Sequence, residues 1–254
     1  MRFCSLQSGS NGNCLYLASD ETQILIDAGI SGRQTELRLA GHGLEIRDVD
    51  AVLISHDHSD HTRSMGIFQR KFELDVWATD KTLRAAQRRN QLGRMDRVRT
   101  FSAGKSLQIG DLTIQSIPTP HDAADGAAFI VDDGSTRVGI FTDLGHVFLG
   151  LDEAIRSCSA VLVESNYDPD MLAGGPYPAF LKRRISGPAG HLSNIEAAQL
   201  LASAGRNLAW ACIGHLSAEN NCPSKALTVH RHFCGAEAQL HVADRYTAGT
   251  LLTV

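Results

Sequence analysis

The sequence predicts an α/β fold, a layered sandwich whose sheets are covered by helices. Three observations carry that expectation. Short apolar runs bounded by Gly, Asp or Asn recur in both halves of the chain. Segments with helical patterning lie between them. The 254 residues are 43% hydrophobic and 20% charged, enough for a sizeable core in an ordinary globular protein. A single Rossmann-type sheet fits less well, because each half is strand-rich with helices interspersed.

In the first half, Arg2–Leu6, Leu15–Ala18, Gln23–Ile26, Ala51–Ser55 and Asp75–Ala78 read as strands. Helices are expected at about Gly32–Leu39 and Asp80–Gln91, the second with Asp80 as its N-cap. In the second half the strands are Leu112–Ile117, Ala127–Val131, Arg137–Phe141, Ala160–Val163 and Leu208–Ile213. Asp133-Gly134 marks a hairpin between the second and third of these. Helices are expected at Phe148–Arg156, Asn194–Ala204 and Pro223–Phe233, and the Gly- and Pro-rich stretch Gly174–Gly190 as a long surface loop. With no long linker, low-complexity tract or residue-level repeat, residues 1–254 are expected to form one domain. The coarse likeness of the halves permits pseudo-symmetry.

Composition excludes several classes. A formal charge of −4 gives no overall basic character, so any nucleic-acid binding must come from a local patch. The six cysteines, Cys4, Cys14, Cys158, Cys212, Cys222 and Cys234, include no C-x-x-C pair and read as reduced, mostly buried thiols. The polar, glycine-rich start lacks the apolar stretch of a signal peptide. No apolar run approaches the about 20 residues needed to span a bilayer, so the cytoplasm is the expected compartment and no membrane partner is expected.

The chemistry centres on His56-Asp57-His58-Ser59-Asp60-His61, which follows directly on an apolar strand. Residues two apart in extended chain share a face, so His56 and His58 can converge on one ion. A turn then lets Asp60 and His61 face a second. Imidazole with carboxylate suits Zn, Mn or Fe rather than Mg or Ca. Two ions need more donors than this run supplies, and three further candidates end apolar strands: His121, Asp143 and His215.

The chain resembles the metallo-β-lactamase superfamily through His56-x-His58-x-Asp60-His61, His121, Asp143 and His215, in that order over most of its length. The resemblance implies a four-layer αβ/βα sandwich. It implies two divalent metal ions, His56, His58 and His121 holding the first and Asp60, His61 and His215 the second, with Asp143 bridging. The implied reaction is hydrolysis by a metal-bridging hydroxide, with Asp60 counted among the catalytic residues. Asp27, at the end of a strand, matches a position that buttresses the histidine loop. His42, His146, His230, His232 and His241 match no ligand position.

A narrower resemblance, to the YycJ/WalJ-like subgroup, rests on the loop from Ser8 to Asn13 together with Glu164-Ser165-Asn166, Gly190-His191-Leu192-Ser193-Asn194 and Gly214-His215-Leu216-Ser217 with Asn220-Asn221. Members of that subgroup are regarded as DNA exonucleases acting from the 5′ end, which implies a nucleic-acid end as substrate. His191 lies where related phosphodiesterases carry a histidine that contacts the scissile phosphate or protonates the leaving oxygen. Ser8, Ser10, Asn11 and Asn13, with Ser193, offer hydroxyls, amides and backbone N–H groups to an anion. Lys182, Arg183 and Arg184 offer three cations to a nucleic-acid backbone. Other signals fall away. Gly104-Lys105-Ser106 lacks the first glycine of a P-loop, and Gly9-Ser10-Asn11-Gly12 is no nucleophile elbow.

The interval from Asp143 to His191 is too short for the inserted domain of β-CASP nucleases, no long Gly- and Pro-rich arm of the tRNA-processing type appears, and about forty residues after His215 leave little room for the C-terminal substrate domain of glyoxalase II. A metal-dependent phosphodiesterase is therefore the leading reading. The alternatives are a hydrolase of a small ester, lactone, thioester or cyclic phosphodiester, and a metal-binding regulatory module without activity.

Overall fold

The computed structural model describes all 254 residues. The apolar runs of the first half, with one more strand, form β1 (Arg2–Gln7), β2 (Cys14–Ala18), β3 (Gln23–Ile26), β4 (Ala51–Leu53), β5 (Asp75–Thr79) and β6 (Val98–Phe101). The rest of the chain forms β7 (Ser106–Ile109), β8 (Leu112–Pro118), β9 (Ala127–Asp132), β10 (Arg137–Phe141), β11 (Ala160–Glu164), β12 (Trp210–Gly214) and β13 (Leu240–Val242), and β14 (Leu252–Thr253) returns to pair with β1. Two seven-stranded sheets result, ordered β14-β1-β2-β3-β4-β5-β6 and β13-β12-β11-β10-β9-β8-β7. They share one design. Each has three antiparallel pairings followed by three parallel ones, the parallel runs being β3 to β6 and β10 to β13. The likeness of the halves is thus topological, with no sequence repeat behind it.

Nine helices accompany the sheets: α1 (Gly32–Ala40), α2 (Ser59–Thr62), α3 (Met65–Phe72), α4 (Asp80–Arg89), α5 (Leu151–Arg156), α6 (Pro169–Gly174), α7 (Ala179–Ile185), α8 (Asn194–Ala204) and α9 (Pro223–Cys234). Side-chain alternation builds the layers. In β3, Ile24 and Ile26 point between the sheets while Leu25 points out, and β11 repeats this with Ala160 and Leu162 inward and Val161 and Val163 outward. The inner core sets Phe3, Leu17 and Leu53 against Phe129, Val131 and Leu162. Outside the first sheet, Leu39 of α1, Met65, Phe68 and Phe72 of α3 and Ala86 of α4 cover Val52 and Val76. Outside the second, Leu151 and Ile155 of α5 with Ala197, Leu200 and Leu201 of α8 cover Ile130, Val161 and Val163. This is the expected four-layer αβ/βα sandwich. Strands covered on both faces read as continuous apolar runs, which is why the central ones were visible in sequence. Each fully buried Phe or Leu contributes about 1.5–3 kcal/mol, so the inner core alone explains why the sheets close on one another.

Four features depart from expectation. The stretch expected as a surface loop contains α7, because Leu181 and Ile185, one turn apart, pack with Tyr177 against Tyr167 and Leu172. The N-cap of α4 is Thr79, whose hydroxyl accepts from Thr82 N at 3.2 Å, and Asp80 sits in the first turn. Strands β6, β7, β13 and β14 are short edge or near-edge strands with weak apolar patterns. Helix α3 follows the histidine run almost without a break. All six cysteines are unpaired, four of them buried, and no helix is long and apolar enough to cross a membrane.

Candidate metal centre

The matching sheets bring the C-terminal ends of several strands, β8 as well as members of the parallel runs, to one edge of the sandwich, and the candidate ligands hang from those ends. The histidine run leaves β4, His121 follows β8, Asp143 follows β10 and His215 follows β12. Asp27 follows β3, in the first sheet where Asp143 stands in the second. Asp27, Asp143 and His215 all hold left-handed backbone, with φ of 66°, 55° and 54°. That conformation is uncommon for residues other than glycine and turns the chain sharply into the site. Gly29 is fixed by a close approach, since a Cβ there would lie 1.6 Å from the carbonyl oxygen of Asp60.

The donor atoms fall into four overlapping groups; two match the expected ion sites, and Asp143 belongs to the other two, one with His56 and His61 and one with Glu164, His191 and His215. His56, His58 and His121 converge, with His58 Nδ1 and His121 Nε2 3.4 Å apart. Asp60, His61 and His215 also converge, Asp60 Oδ2 lying 3.5 Å from His61 Nε2 and 3.8 Å from His215 Nε2. Asp143 faces both groups. Its Oδ1 is 3.5 Å from His121 Nε2 and 3.7 Å from His215 Nε2, and its Oδ2 is 3.4 Å from His61 Nε2.

Donors sharing a tetrahedral ion at about 2.0–2.1 Å stand about 3.3 Å apart, close to these values. Moreover, His56 Nε2, His215 Nε2 and Asp143 Oδ2 are buried without a hydrogen-bond partner. Stranding polar atoms in the interior is costly, so atoms left facing one another around a common space fit a cation better than a packed core. The nitrogen and carboxylate donors fit a divalent transition metal.

The remote ring nitrogens are committed elsewhere, which aims the free ones inward. His56 Nδ1 lies 3.0 Å from Ser55 Oγ, His58 Nε2 3.2 Å from the Asp122 carbonyl, and His121 Nδ1 2.8 Å from the Gly190 carbonyl. His61 Nδ1 meets Asp27 Oδ2 at 2.6 Å. Asp27 also accepts from the backbone N–H and hydroxyl of Ser55 at 2.8 and 2.9 Å, so one carboxylate braces both the histidine run and its anchoring serine.

Electrostatics follow the same plan. Burial alone would raise the carboxyls of Asp60 and Asp143, yet the surrounding histidines hold both well below the usual range. Burial and neighbouring histidines keep His56 and His58 neutral, the form that ligates a metal. His215 is pushed up to about 10 despite burial, because Asp143, Asp60 and Glu164 surround it. The buried carboxylates favour positive charge at their centre, as a divalent ion would provide.

Glu164, at the end of β11, was absent from the expected site. It is fully buried; its Oε1 accepts from Leu144 N at 2.9 Å and Leu192 N at 3.2 Å, and its Oε2 lies 3.0 Å from His191 Nδ1. Burial would raise its carboxyl, but His191 and His215 hold it down to about 2. An acidic residue closing an apolar strand is the signal that identified Asp143, and Glu164 carries it too. Asp57, also missed, accepts from Ala124 N at 2.7 Å and pairs with Arg89 at 2.7 Å, joining the histidine run to the loop after His121.

Several residues expected to touch substrate are turned inward instead. Ser8 Oγ accepts from His215 N at 2.8 Å, and Asn13 Oδ1 accepts from Gly9 N at 2.8 Å while its Nδ2 lies 3.0 Å from His61 Nε2. Ser193 caps α8 in a reciprocal box with Glu196. Ser10 and Asn11 remain at the exposed tip of their loop, Asn11 bonded to Arg245. The run Lys182 to Arg184 does not act as one patch, because successive residues of α7 diverge by about 100° around the helix axis. Lys182 Nζ donates to the Ala173 carbonyl, Arg183 is exposed, and Arg184 forms a two-pronged pair with Asp122 at 2.6 and 3.0 Å, beside His58. The five histidines matching no ligand position all lie outside the cluster.

A family model described as a β-lactamase superfamily domain matches residues 22–212. The chain is 36% identical over 224 residues, 87% of this chain and 84% of the relative, to the exodeoxyribonuclease YycJ of Bacillus anthracis. Its backbone is similar to that of the metallo-β-lactamase fold protein YhfI from Bacillus subtilis, with a TM-score of 0.75 at 17% identity over 98% of this chain and 99% of that one. It is also similar to zinc-bound PqqB from Methylobacterium extorquens, with a TM-score of 0.74 at 15% identity over the whole of both chains. A model that spans most of the sequence, and a relative of such identity along nearly its whole length, make the chain a member of the metallo-β-lactamase superfamily.

Proposed function

We propose that this chain is a metal-dependent phosphodiesterase that degrades DNA from the 5′ end. In this reading His56, His58 and His121 hold one ion, Asp60, His61 and His215 the other, and Asp143 bridges them, with zinc or manganese as the metal and iron also compatible with the donor set. Such a pair, when bound, acidifies water towards neutral pH and stabilises charge on attacking and leaving oxygens.

His191 carries the choice of a phosphodiester. Its Nδ1 lies 3.0 Å from the buried Glu164 Oε2 and 3.7 Å from Asp143 Oδ1, while Nε2 makes no hydrogen bond within the chain. The imidazole is therefore held at the edge of the cluster by a carboxylate behind it. From there Nε2 can donate to a phosphoryl oxygen or pass a proton to the leaving oxygen. The name of the Bacillus anthracis relative supports DNA as the polymer attacked.

Purified protein supplied with zinc or manganese is expected to release nucleotides from 5′-phosphorylated single-stranded DNA. A His191→Ala variant is expected to lose turnover by about 10²-fold or more while keeping its metal. DNA left intact under every metal, with a small ester or lactone hydrolysed instead, would overturn the proposal.

A further inference from the structure

The charge of the chain is unevenly placed. Residues 61–100 carry ten Lys and Arg against four Asp and Glu, an excess of six in a chain whose net charge is −4. Much of this excess lies on α4 and its flanks, and α4 is tied to the candidate metal centre at both ends. At its start, Thr82 Oγ1 donates to the Asp125 carbonyl at 3.2 Å, on the loop that follows His121. At its end, Arg89 pairs with Asp57 at 2.7 Å, and Asn90 Nδ2 donates to Thr62 Oγ1 at 3.0 Å, both on the segment that carries His58, Asp60 and His61.

The helix thus runs along the rim of the site for about 15 Å. Its inner face buries Thr82, Ala85 and Ala86. Its outer face presents Lys81, Arg84 and Arg88, spaced three and four residues apart and therefore aligned. Lys81 and Arg84 are each 72% exposed, and their pairings with Asp125 and Asp80, at 3.6 and 3.8 Å, are long and solvated. Such pairs are worth at most about 1 kcal/mol and yield readily to a stronger anion. Arg88 has no acidic partner. Arg63, exposed just beyond His61, donates to the Ser59 carbonyl at 3.0 Å and adds a cation to the histidine segment itself.

We infer that Lys81, Arg84 and Arg88 on α4 form the track along which the phosphate backbone of a nucleic-acid strand runs when its end occupies the metal centre. The inference rests on the nuclease reading for what enters the site. A row of cations joined to both metal-bearing loops suits a polyanion continuous with the scissile bond, and this role falls to α4 rather than to Lys182 and Arg184, whose charges are bonded elsewhere.

The test compares metal-loaded wild type with Lys81→Gln/Arg84→Gln/Arg88→Gln and with the charge-retaining Lys81→Arg/Arg84→Lys/Arg88→Lys. Binding of a labelled, 5′-phosphorylated oligodeoxynucleotide is measured over a range of salt, and metal content is measured alongside. Neutralisation is expected to weaken binding by about tenfold or more and to reduce the slope of log affinity against log salt by about 2, since each phosphate contact on a single strand contributes about 0.7. The charge-retaining variant is expected to bind as wild type does. Unchanged affinity and salt slope overturn the inference, as does a wild type that binds no DNA or a neutral variant that loses its metal together with its affinity. DNA held through these residues but never cut leaves the track standing and removes the nuclease assignment, whereas DNA cut as well by the neutral variant does the reverse.

Discussion

Replacing Asp27 by Asn removes one charge and leaves the backbone where it is, because Asn tolerates the left-handed φ of 66°. What changes is the support behind His61, whose Nδ1 lies 2.6 Å from Asp27 Oδ2. A hydrogen bond to an ionised partner is worth about 1.5–3 kcal/mol, or about 10–150-fold in an equilibrium constant. Loss of an outer partner of a ligating histidine usually weakens a metal by about 10–100-fold. The ion assigned to Asp60, His61 and His215 should therefore weaken by that factor. The ion assigned to His56, His58 and His121 should change less, being reached only through Ser55, which contacts His56 Nδ1 at 3.0 Å. Zinc titration in competition with a chromophoric chelator resolves the two affinities. Asp27→Ala, which adds the cost of placing alanine in left-handed backbone, about 1–2 kcal/mol, should melt lower than Asp27→Asn. Equal weakening of both ions, or of neither, would refute the split of ligands.

Two further predictions follow from buried groups. Glu164→Gln preserves shape and an acceptor for Leu144 N and Leu192 N but withdraws the charge behind His191, so turnover should fall by about 10–100-fold with metal content retained; loss of an ion would instead mark Glu164 as a ligand. Burial depresses the pKa of His230, whose Nε2 has no partner. As pH falls through the unfolded value of about 6.5, the unfolded chain takes up a proton that the fold refuses, so stability is lost on the acid side and none of this loss occurs well above that pH. His230→Leu should therefore lose less melting temperature than wild type between neutral and mildly acid pH, and parallel curves would count against the buried, neutral histidine.

Much of the site was legible because its ligands end apolar strands. A strand covered on both faces announces itself as a run such as Val52-Leu53-Ile54, and the polar residues in the one or two positions past it must lie at the sheet edge. His56, Asp143 and His215 could be picked out on that ground. Glu164 carries the same signal, closing the apolar strand Ala160–Val163, but in the sequence it stands only as part of the motif Glu164-Ser165-Asn166, with no role assigned to it. The short edge strands and α7 were obscured by weaker patterns, since Val98–Phe101 and Ser106–Ile109 bury little and Leu181 and Ile185 gain their packing only from distant Tyr167.

The sequence by itself determined the layered fold, the candidate metal-binding side chains and the hydrolytic chemistry they imply, because these depend on residue type and on periodicity along the chain. Tertiary structure alone decided the direction of each polar side chain. Ser8 and Asn13 turn inward towards His215 and His61 because buried backbone and ring atoms need partners, Arg184 is drawn to Asp122, and α4 with its row of cations is brought to the rim by its bonds to the loops that carry the candidate ligands. Those directions arise from contacts between residues far apart in sequence, which no local pattern records.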